Sequence, residues 1–228
     1  MGISDTPAWI VSQAVTLADL RGWTRFAGLQ IPYSLIERTP ERDLLPMAHA
    51  LDLTVTTWGP LGQGLLTGRY GTDRPRPADT RIATTMEYSG WLLNDHNLAI
   101  ADAVDEIAAG CQVTASQVAI AWARAQQHRG VVVPVIGART LQQLEDNLGA
   151  LQLELSDTEL TRLDEISRVP LGFRHDFVGR AFAHGDTFDL VDDHRRHGYT
   201  QIASPPRFDA HAAPEEGRPR KQRAEFGP

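Results

Sequence analysis

The chain has 228 residues, of which 42% are hydrophobic, and it carries a formal net charge of −7. This length suits one domain with a tail, and the acidic balance argues against a general nucleic-acid binder or a protein that binds anionic membranes. A single cysteine, Cys111, excludes an internal disulfide framework and fits a reducing compartment, so a cytoplasmic location is expected. The sequence has no apolar run long enough to span a bilayer, and its first residues do not match a signal peptide.

The first segment, residues 2–7 (GISDTP), predicts the turn after a strand, with the strand itself expected before the chain begins. Ser4, Asp5 and Thr6 are suitable N-cap residues, and proline is favoured in a first helical turn. Residues 8–20 then show helical spacing. The apolar residues at this spacing are Ile10, Ala14, Leu17 and Ala18.

Residues 26–31 predict a short strand that carries Gln30, residues 40–50 a helix, and residues 53–58 a second strand. A glycine-rich turn follows at 59–64. The long segment 71–91 is rich in Pro, Arg and Thr, a composition and length typical of a lid or binding loop.

Two helices are predicted next, at 94–110 and 114–128, the second packing through Val118, Ala119 and Trp122. A further helix is predicted to start at Ser156, with Glu159 completing a capping box. The residues of this helix expected to face inward are Leu160, Leu163 and Ile166.

Residues 131–150 (VVVPVIGARTLQQLEDNLGA) combine a strand, a glycine turn and a helix. The β-branched run predicts a strand buried on both faces. From Thr140 the spacing becomes helical, with Leu141, Leu144 and Leu148 on one side. Arg139 at the helix start and Gly137 in the turn suit a phosphate group, because unpaired N–H groups and a guanidinium both bind anions. An ordinary strand–helix turn with a solvated arginine is the alternative.

Beyond residue 172 the pattern weakens. Residues 186–197 predict a last short helix, and the polar, proline-containing segment 199–228 is expected to be disordered. The domain is therefore assigned to 1–198. Alternation of strands and helices indicates parallel β/α units. The three strands predicted near 26, 53 and 131 are too few to close a barrel of eight units.

Five groups of residues, in order, resemble the C-terminal half of an aldo-keto reductase. GISDTPAW is similar to the turn after the family's fifth strand, and LQIPYSLIERTPERDLLP to its sixth strand and helix. WGPLGQGLLTGRY resembles the seventh-strand loop, and PVIGARTLQQLEDNLGAL the eighth-strand loop and helix. LGFRHDF and VDDHRR resemble the C-terminal segment. The resemblance implies an α/β fold, namely a partial (β/α)8 TIM-type barrel made of the last three β/α units, outer helices and a disordered tail.

The resemblance also implies an NADP(H) site at the carboxyl ends of the strands. Ser4, Asp5 and Gln30 would meet the nicotinamide carboxamide, although the family usually has asparagine where Asp5 stands. Trp58 would stack on the nicotinamide ring. The alternative for Trp58 is a core tryptophan at a strand end. The alternative for Gln30 is a polar residue in the barrel interior that is hydrogen-bonded to a neighbour. The pyrophosphate would lie along Gly59, Pro60, Leu61, Gly62, Gln63 and Gly64. Gly137, Arg139 and Thr140 would meet the 2′-phosphate, and Gln143, Asp146 and Asn147 would lie near the adenine.

The family's catalytic tyrosine, lysine, aspartate and histidine belong to strands upstream of the segments matched here. The only lysine is Lys221, in the predicted tail, and Tyr33 and Tyr70 match family positions that are not catalytic. A tyrosine needs a neighbouring cation to donate a proton at neutral pH. No catalytic residue is therefore assigned. The group His194, His197, Asp192 and Asp193 favours a solvated helix end over a metal site, and no metal is assigned.

By this resemblance the activity is NADP-dependent reduction of aldehydes or ketones to alcohols, with the isolated chain expected to be inactive. Three hypotheses remain open: the C-terminal part of a truncated reductase, a non-catalytic nucleotide-binding or interaction remnant, and half of a split enzyme completed by a partner chain. The expected partners are a small carbonyl substrate once the fold is complete, and a second copy or an N-terminal half that pairs with open strand edges. Nucleic acid and membranes are not expected partners.

Overall fold

The computed structural model describes residues 1–85, 90–173 and 175. These ranges contain four strands and seven α-helices. In chain order they are β1 (Gly2–Ser4), α1 (Ala8–Arg21), β2 (Gly28–Pro32), α2 (Leu44–Ala50), β3 (Thr54–Trp58), α3 (Arg81–Thr84), α4 (Asp95–Cys111), α5 (Ala115–Ala125), β4 (Val132–Pro134), α6 (Leu141–Gly149) and α7 (Asp157–Ile166). Short 3-10 turns occur at Thr39–Arg42, Gly62–Gly64, Gly90–Leu92 and Gln126–Arg129. The predicted α/β class with parallel strands is confirmed, and the partial barrel stays a prediction.

The four strands form one parallel sheet in the order β1-β2-β3-β4. Gly2 pairs with Gly28, Leu29 with Val55, and Val55 with Val132. Residues 2–4 are thus a strand, so their prediction as a turn and the count of three strands were wrong. Three residues are too short for a periodic signal, and it is the neighbouring strand that supplies their hydrogen bonds.

Only one face of the sheet is packed within the described ranges. Leu29, Ile31, Val55 and Val132 are buried in the main core, whereas alternate side chains are exposed. The prediction that the fourth strand is buried on both faces was wrong, because Val131 is 57% and Val133 46% exposed. A continuous β-branched run is typical of a strand that is covered on both faces, but burial requires an element on each face, and none covers the second face of β4 within the described ranges.

The helices differ in how well their buried faces were predicted. In α5, Val118, Ala119 and Trp122 are buried as expected. In α1 the buried side chains are Val11, Val15 and Ala18, whereas Ile10 and Leu17, which have the predicted helical spacing, are exposed. Leu141, Leu144 and Leu148 do share one side of α6, but that side is exposed.

Local signals at the helix ends were accurate at α7 but not at α1. The N-cap of α1 is Pro7 and has no side-chain cap hydrogen bond, so the prediction of an N-cap among Ser4, Asp5 and Thr6 was wrong. Ser156 accepts a hydrogen bond from the backbone N–H of Glu159, whose carboxylate accepts from the Ser156 N–H at 2.7 Å, so the predicted capping box at α7 is confirmed. The predicted helix over 40–50 is divided at Asp43 into a 3-10 turn and α2, since the φ of Asp43 is −152°. The segments predicted at 186–197 and 199–228 lie outside the described residues. No helix within the described ranges is long and apolar enough to cross a membrane.

Candidate functional site

The carboxyl ends of the four parallel strands lie together at one end of the sheet, which we call the carboxyl end of the sheet. Ser4 is in register with Gln30, Gln30 with Thr56, and Pro32 with Trp58. In open α/β sheets, ligands bind beyond this end, where loops and helix starts offer their polar groups. The predicted site residues lie at this carboxyl end. They are found on β1, β2 and β3 and in the turn after β4.

Asp5, Gln30 and Trp58 form a bonded cluster at this carboxyl end. The indole Nε1 of Trp58 donates to the Asp5 carboxylate at 3.2 Å, and the Asp5 backbone N–H donates to the Gln30 carbonyl at 3.1 Å. The Gln30 side-chain amide donates to the Thr56 hydroxyl at 3.4 Å. The Trp58 side chain is 41% exposed, so it presents an accessible aromatic face rather than a core contact.

The aspartate of this cluster has an unusual backbone conformation. Its φ is +46°, in the left-handed region where Asn and Asp are tolerated better than most residues. The Asp5 carboxylate accepts a hydrogen bond from the indole N–H of Trp58, which lies 53 residues away in the sequence. An aspartate at this position therefore has a clear structural task, which is to orient the Trp58 ring.

The glycine loop after β3 is a tight turn with several left-handed residues. Gly59, Gly62 and Gly64 have φ values of 69°, 55° and 104°. A Cβ at Gly62 would come within 2.5 Å of the Ile36 side chain, whereas one at Gly59 or Gly64 would meet open space. The loop can therefore be approached closely at its first and last glycines. The Gly62 and Gly64 amides are committed within the turn, since they donate to the Gly59 and Leu61 carbonyls.

The turn before α6 places an exposed arginine at a helix start. Thr140 is the N-cap, and its hydroxyl accepts from the Gln143 N–H at 3.2 Å. The Gln143 side chain reaches back and accepts from the Arg139 N–H at 2.9 Å. Arg139 and Gly137 are exposed, and the first turn of the helix adds partial positive charge. The guanidinium of Arg139 and the N-terminus of α6 together favour the binding of an anion at this turn.

Asp146 and Asn147, which were predicted to lie near the adenine, are hydrogen-bonded to other parts of the protein. Asp146 accepts from the Thr114 hydroxyl at 3.1 Å and from the Gln117 amide at 3.0 Å, which ties α6 to the start of α5. Asn147 is buried, and its amide donates to the Gly137 carbonyl at 3.4 Å. These two residues therefore support the turn that carries Arg139.

A charged pair that no sequence pattern indicated, Arg69 with Asp79, lies near Arg139. Arg69 donates to the Asp79 carboxylate. That hydrogen bond lowers the pKa of Asp79, and the positive charge of Arg139 lowers it further. The segment was predicted only as a lid or binding loop. Its richness in Pro and Arg was the available signal, but the spacing of the two residues carries no pattern.

The two described tyrosines point into the core. Tyr33 is fully buried, and its hydroxyl donates to the Glu41 carboxylate at 2.7 Å. Burial, followed by the Glu41 charge, raises the pKa of Tyr33 well above 10. Tyr70 is also buried, and its hydroxyl bonds to that of Thr80. Neither hydroxyl can donate a proton to a ligand at the strand ends. Among the residues that the structure describes, no group of three or more acidic, histidine or cysteine side chains could hold a metal ion.

Comparison with known proteins gives a consistent picture. A family model described as the aldo/keto reductase family matches residues 1–168. The chain is 33% identical over 179 residues to the aldo-keto reductase ausK of Aspergillus calidoustus, which covers 78% of this chain and 44% of that protein. It is 28% identical over 192 residues to an aryl-alcohol dehydrogenase [NADP(+)] of Phanerodontia chrysosporium, covering 84% and 48%. A probable aryl-alcohol dehydrogenase, AAD4 of Saccharomyces cerevisiae, is 29% identical over 179 residues, covering 78% and 54%. The chain spans about half the length of the curated relatives it matches.

Proposed function

The chain belongs to the aldo/keto reductase family, and from that premise we propose that it is the cofactor-binding portion of an NADP(H)-dependent oxidoreductase that interconverts carbonyl compounds and alcohols. The observation that carries the proposal is that the Asp5–Gln30–Trp58 cluster and the turn with Arg139 both lie at the carboxyl end of the sheet. An exposed aromatic face and an exposed cation at a helix start suit the two ends of a phosphorylated dinucleotide.

Each part of this carboxyl end suits a different part of the cofactor. The Trp58 ring, oriented by Asp5, would stack on the nicotinamide, and Gln30 would bond its carboxamide. The open backbone at Gly59 and Gly64 would allow the pyrophosphate to approach. Arg139 would pair with the 2′-phosphate, with Gln143 holding the backbone of its turn. Bound NADPH supplies the hydride for the reaction.

The proton for the reaction needs a different source. The hydroxyls of Tyr33 and Tyr70 are buried and bonded, and the raised pKa of Tyr33 opposes proton release. We therefore propose that the chain by itself binds the nucleotide without turnover, and that the acid comes from a chain or segment that completes the site. The same buried hydroxyls favour a non-catalytic nucleotide-binding role as the second candidate.

Cofactor preference tests the binding part of this proposal. NADPH and NADH are titrated by fluorescence against the wild type, Arg139→Ala and the control Arg162→Ala, which removes an exposed arginine of α7. A charge-assisted bond to phosphate is worth roughly 1.5–3 kcal/mol, so Arg139→Ala should weaken NADPH binding about 10- to 100-fold and leave NADH unchanged. An equal loss for both cofactors would show that Arg139 does not contact the 2′-phosphate.

Turnover tests the catalytic part. Because two of the similar proteins are named as aryl-alcohol dehydrogenases, an aromatic aldehyde is the first substrate to offer with NADPH. We expect no turnover above background by the isolated chain, since general acid catalysis is worth ~10²–10⁴-fold. Turnover at an ordinary enzyme rate that Tyr33→Phe abolishes would contradict the assignment of the proton donor to another chain or segment.

A further inference from the structure

The indole of Trp58 is held by a negatively charged side chain. Its Nε1 donates to the Asp5 carboxylate at 3.2 Å, at the carboxyl end of the sheet. The Asp5 backbone is fixed as well, because its N–H donates to the Gln30 carbonyl at 3.1 Å. Beside it, the Thr6 hydroxyl donates to the Ser4 carbonyl at 2.8 Å and holds the same turn. The carboxylate therefore has a defined position next to the nitrogen of the Trp58 ring.

The charge of this carboxylate is not balanced by a cation of the described residues. None of the ion pairs that these residues form includes Asp5. The indole N–H that donates to it is neutral. Because Asp5 and Trp58 are both exposed, a ligand that lies on the indole ring would also lie in the field of this carboxylate. A cationic ligand would be attracted by that field, and a neutral ligand would not.

The two oxidation states of a nicotinamide cofactor differ in this respect. The nicotinamide ring of NADP+ carries a positive charge, whereas the dihydronicotinamide ring of NADPH is neutral. The face of a tryptophan ring attracts a cation, and a carboxylate beside that ring adds to the attraction. The Trp58 ring and the Asp5 carboxylate therefore both favour the oxidised ring.

We propose that Asp5 is a specificity-determining residue for the oxidation state of the cofactor, and that its charge makes the site bind NADP+ more tightly than an uncharged residue would. The inference rests on the proposed function, which places the nicotinamide on Trp58. Stacked aromatic rings have centroids about 4.5–7 Å apart. Opposite unit charges about 7 Å apart raise a binding constant about 3-fold in water and roughly 50-fold at an effective dielectric constant of about 20. Because Asp5 is exposed, the lower part of this range applies, about 3- to 10-fold.

The substitution Asp5→Asn isolates the charge, because asparagine retains the other properties of this residue. Its side-chain oxygen can still accept from the Trp58 indole. The φ of Asp5 is +46°, and asparagine is among the residues that tolerate the left-handed region best. The matched control is Asp52→Asn. Asp52 is also exposed and has a φ of +56°, but it precedes β3, and the length of that strand, about 13 Å, separates it from Trp58.

The test measures the dissociation constants of NADP+ and NADPH by isothermal titration calorimetry, after circular dichroism has shown that each variant folds. Asp5→Asn should weaken NADP+ binding about 3- to 10-fold and change NADPH binding less than about twofold. Asp52→Asn should change neither constant. A second measurement uses the wild type alone: its preference for NADP+ should fall as salt is raised towards about 1 M, where the Debye length is only about 3 Å.

The possible results separate this inference from the proposed function. Equal losses of both cofactors in Asp5→Asn would show that Asp5 acts only by holding the indole. An unchanged ratio of the two constants, in Asp5→Asn or in the wild type at high salt, would show that its charge does not act on the nicotinamide. Each of these results would overturn the inference and leave nucleotide binding intact. Failure of the wild type to bind either cofactor would overturn the proposed function, and this inference with it.

Discussion

The buried carboxylate of Glu41 is the best point at which to test what stabilises the packed side of the sheet. It accepts from the Tyr33 hydroxyl at 2.7 Å and from the Arg38 guanidinium at 2.6 Å, and Arg129 approaches at 3.3 Å. Arg38 in turn donates to Asp164 at 2.9 Å and lies over the Trp122 ring at 5.1 Å. This network joins the segment after β2 to α5 and α7.

We expect Glu41→Gln to lower the free energy of unfolding by about 3 kcal/mol. The side chains of Arg38 and Glu41 are only 5% and 7% exposed, and removal of one charge of a buried pair leaves the other uncompensated, at a cost of about 3–5 kcal/mol. The lower end applies because Arg38 keeps its bond to Asp164 and glutamine can still accept from Tyr33. This loss corresponds to a change of roughly 100-fold in the folding equilibrium.

The matched control is Glu106→Gln, which breaks the pair with Arg162. The side chains of that pair are 50% and 63% exposed, so its loss should cost about 0–1 kcal/mol. The assay is urea unfolding followed by circular dichroism at one fixed protein concentration, because association would shift the midpoint. If Glu41→Gln were no more destabilising than Glu106→Gln, the buried network would not contribute as its geometry implies.

Three further predictions concern single residues. Ser156→Ala removes the capping box of α7 and should cost about 1 kcal/mol in the same urea assay; no loss would mean that the cap is redundant. Thr57→Val should be neutral or stabilising by up to about 1 kcal/mol, because the buried Thr57 hydroxyl has no hydrogen-bond partner in the described structure, and a clear loss would point to an unseen partner. The raised pKa of Tyr33 means that its stabilising effect is complete below about pH 10 and is lost as the pH rises above that value. Unfolding titrations between about pH 8 and 11 should show this fall, and Tyr33→Phe should reduce it.

Much of the local structure could be predicted from sequence, because local chemistry determines it. Ser156 with Glu159 predicted a cap, and Val118 with Trp122 predicted a buried helical face. The segment 131–150 predicted a strand, a turn and a helix in the right order. The glycine-rich sequence after β3 predicted a tight turn, and its glycines do adopt left-handed conformations. These features depend on neighbours within a few residues.

The candidate site could be predicted only in outline. Gln30, Trp58 and Arg139 could be predicted to lie at the same end of the sheet, because the carboxyl ends of parallel strands lie together. The bond from Trp58 to Asp5 could not be predicted, since it joins positions 53 residues apart with no shared pattern. The Arg69–Asp79 pair near Arg139 could not be predicted either, since the spacing of its two residues matches no pattern.

The sequence by itself therefore determined the longer helices, the strands β2 to β4 and their order, because propensity and glycine conformation act over one or two turns of chain. It did not indicate the one-turn helix α3, which lies in the segment 71–91 that was predicted as a loop. Only the tertiary structure decided that Gly2–Ser4 is a strand, that Val131 and Val133 are exposed, and that the leucines of α6 have no partner helix in the described ranges. A short strand gains its hydrogen bonds from another strand, and an apolar side chain is buried only where another element covers it. Both depend on contacts that are distant in sequence, and periodicity within one segment cannot indicate which contacts are present.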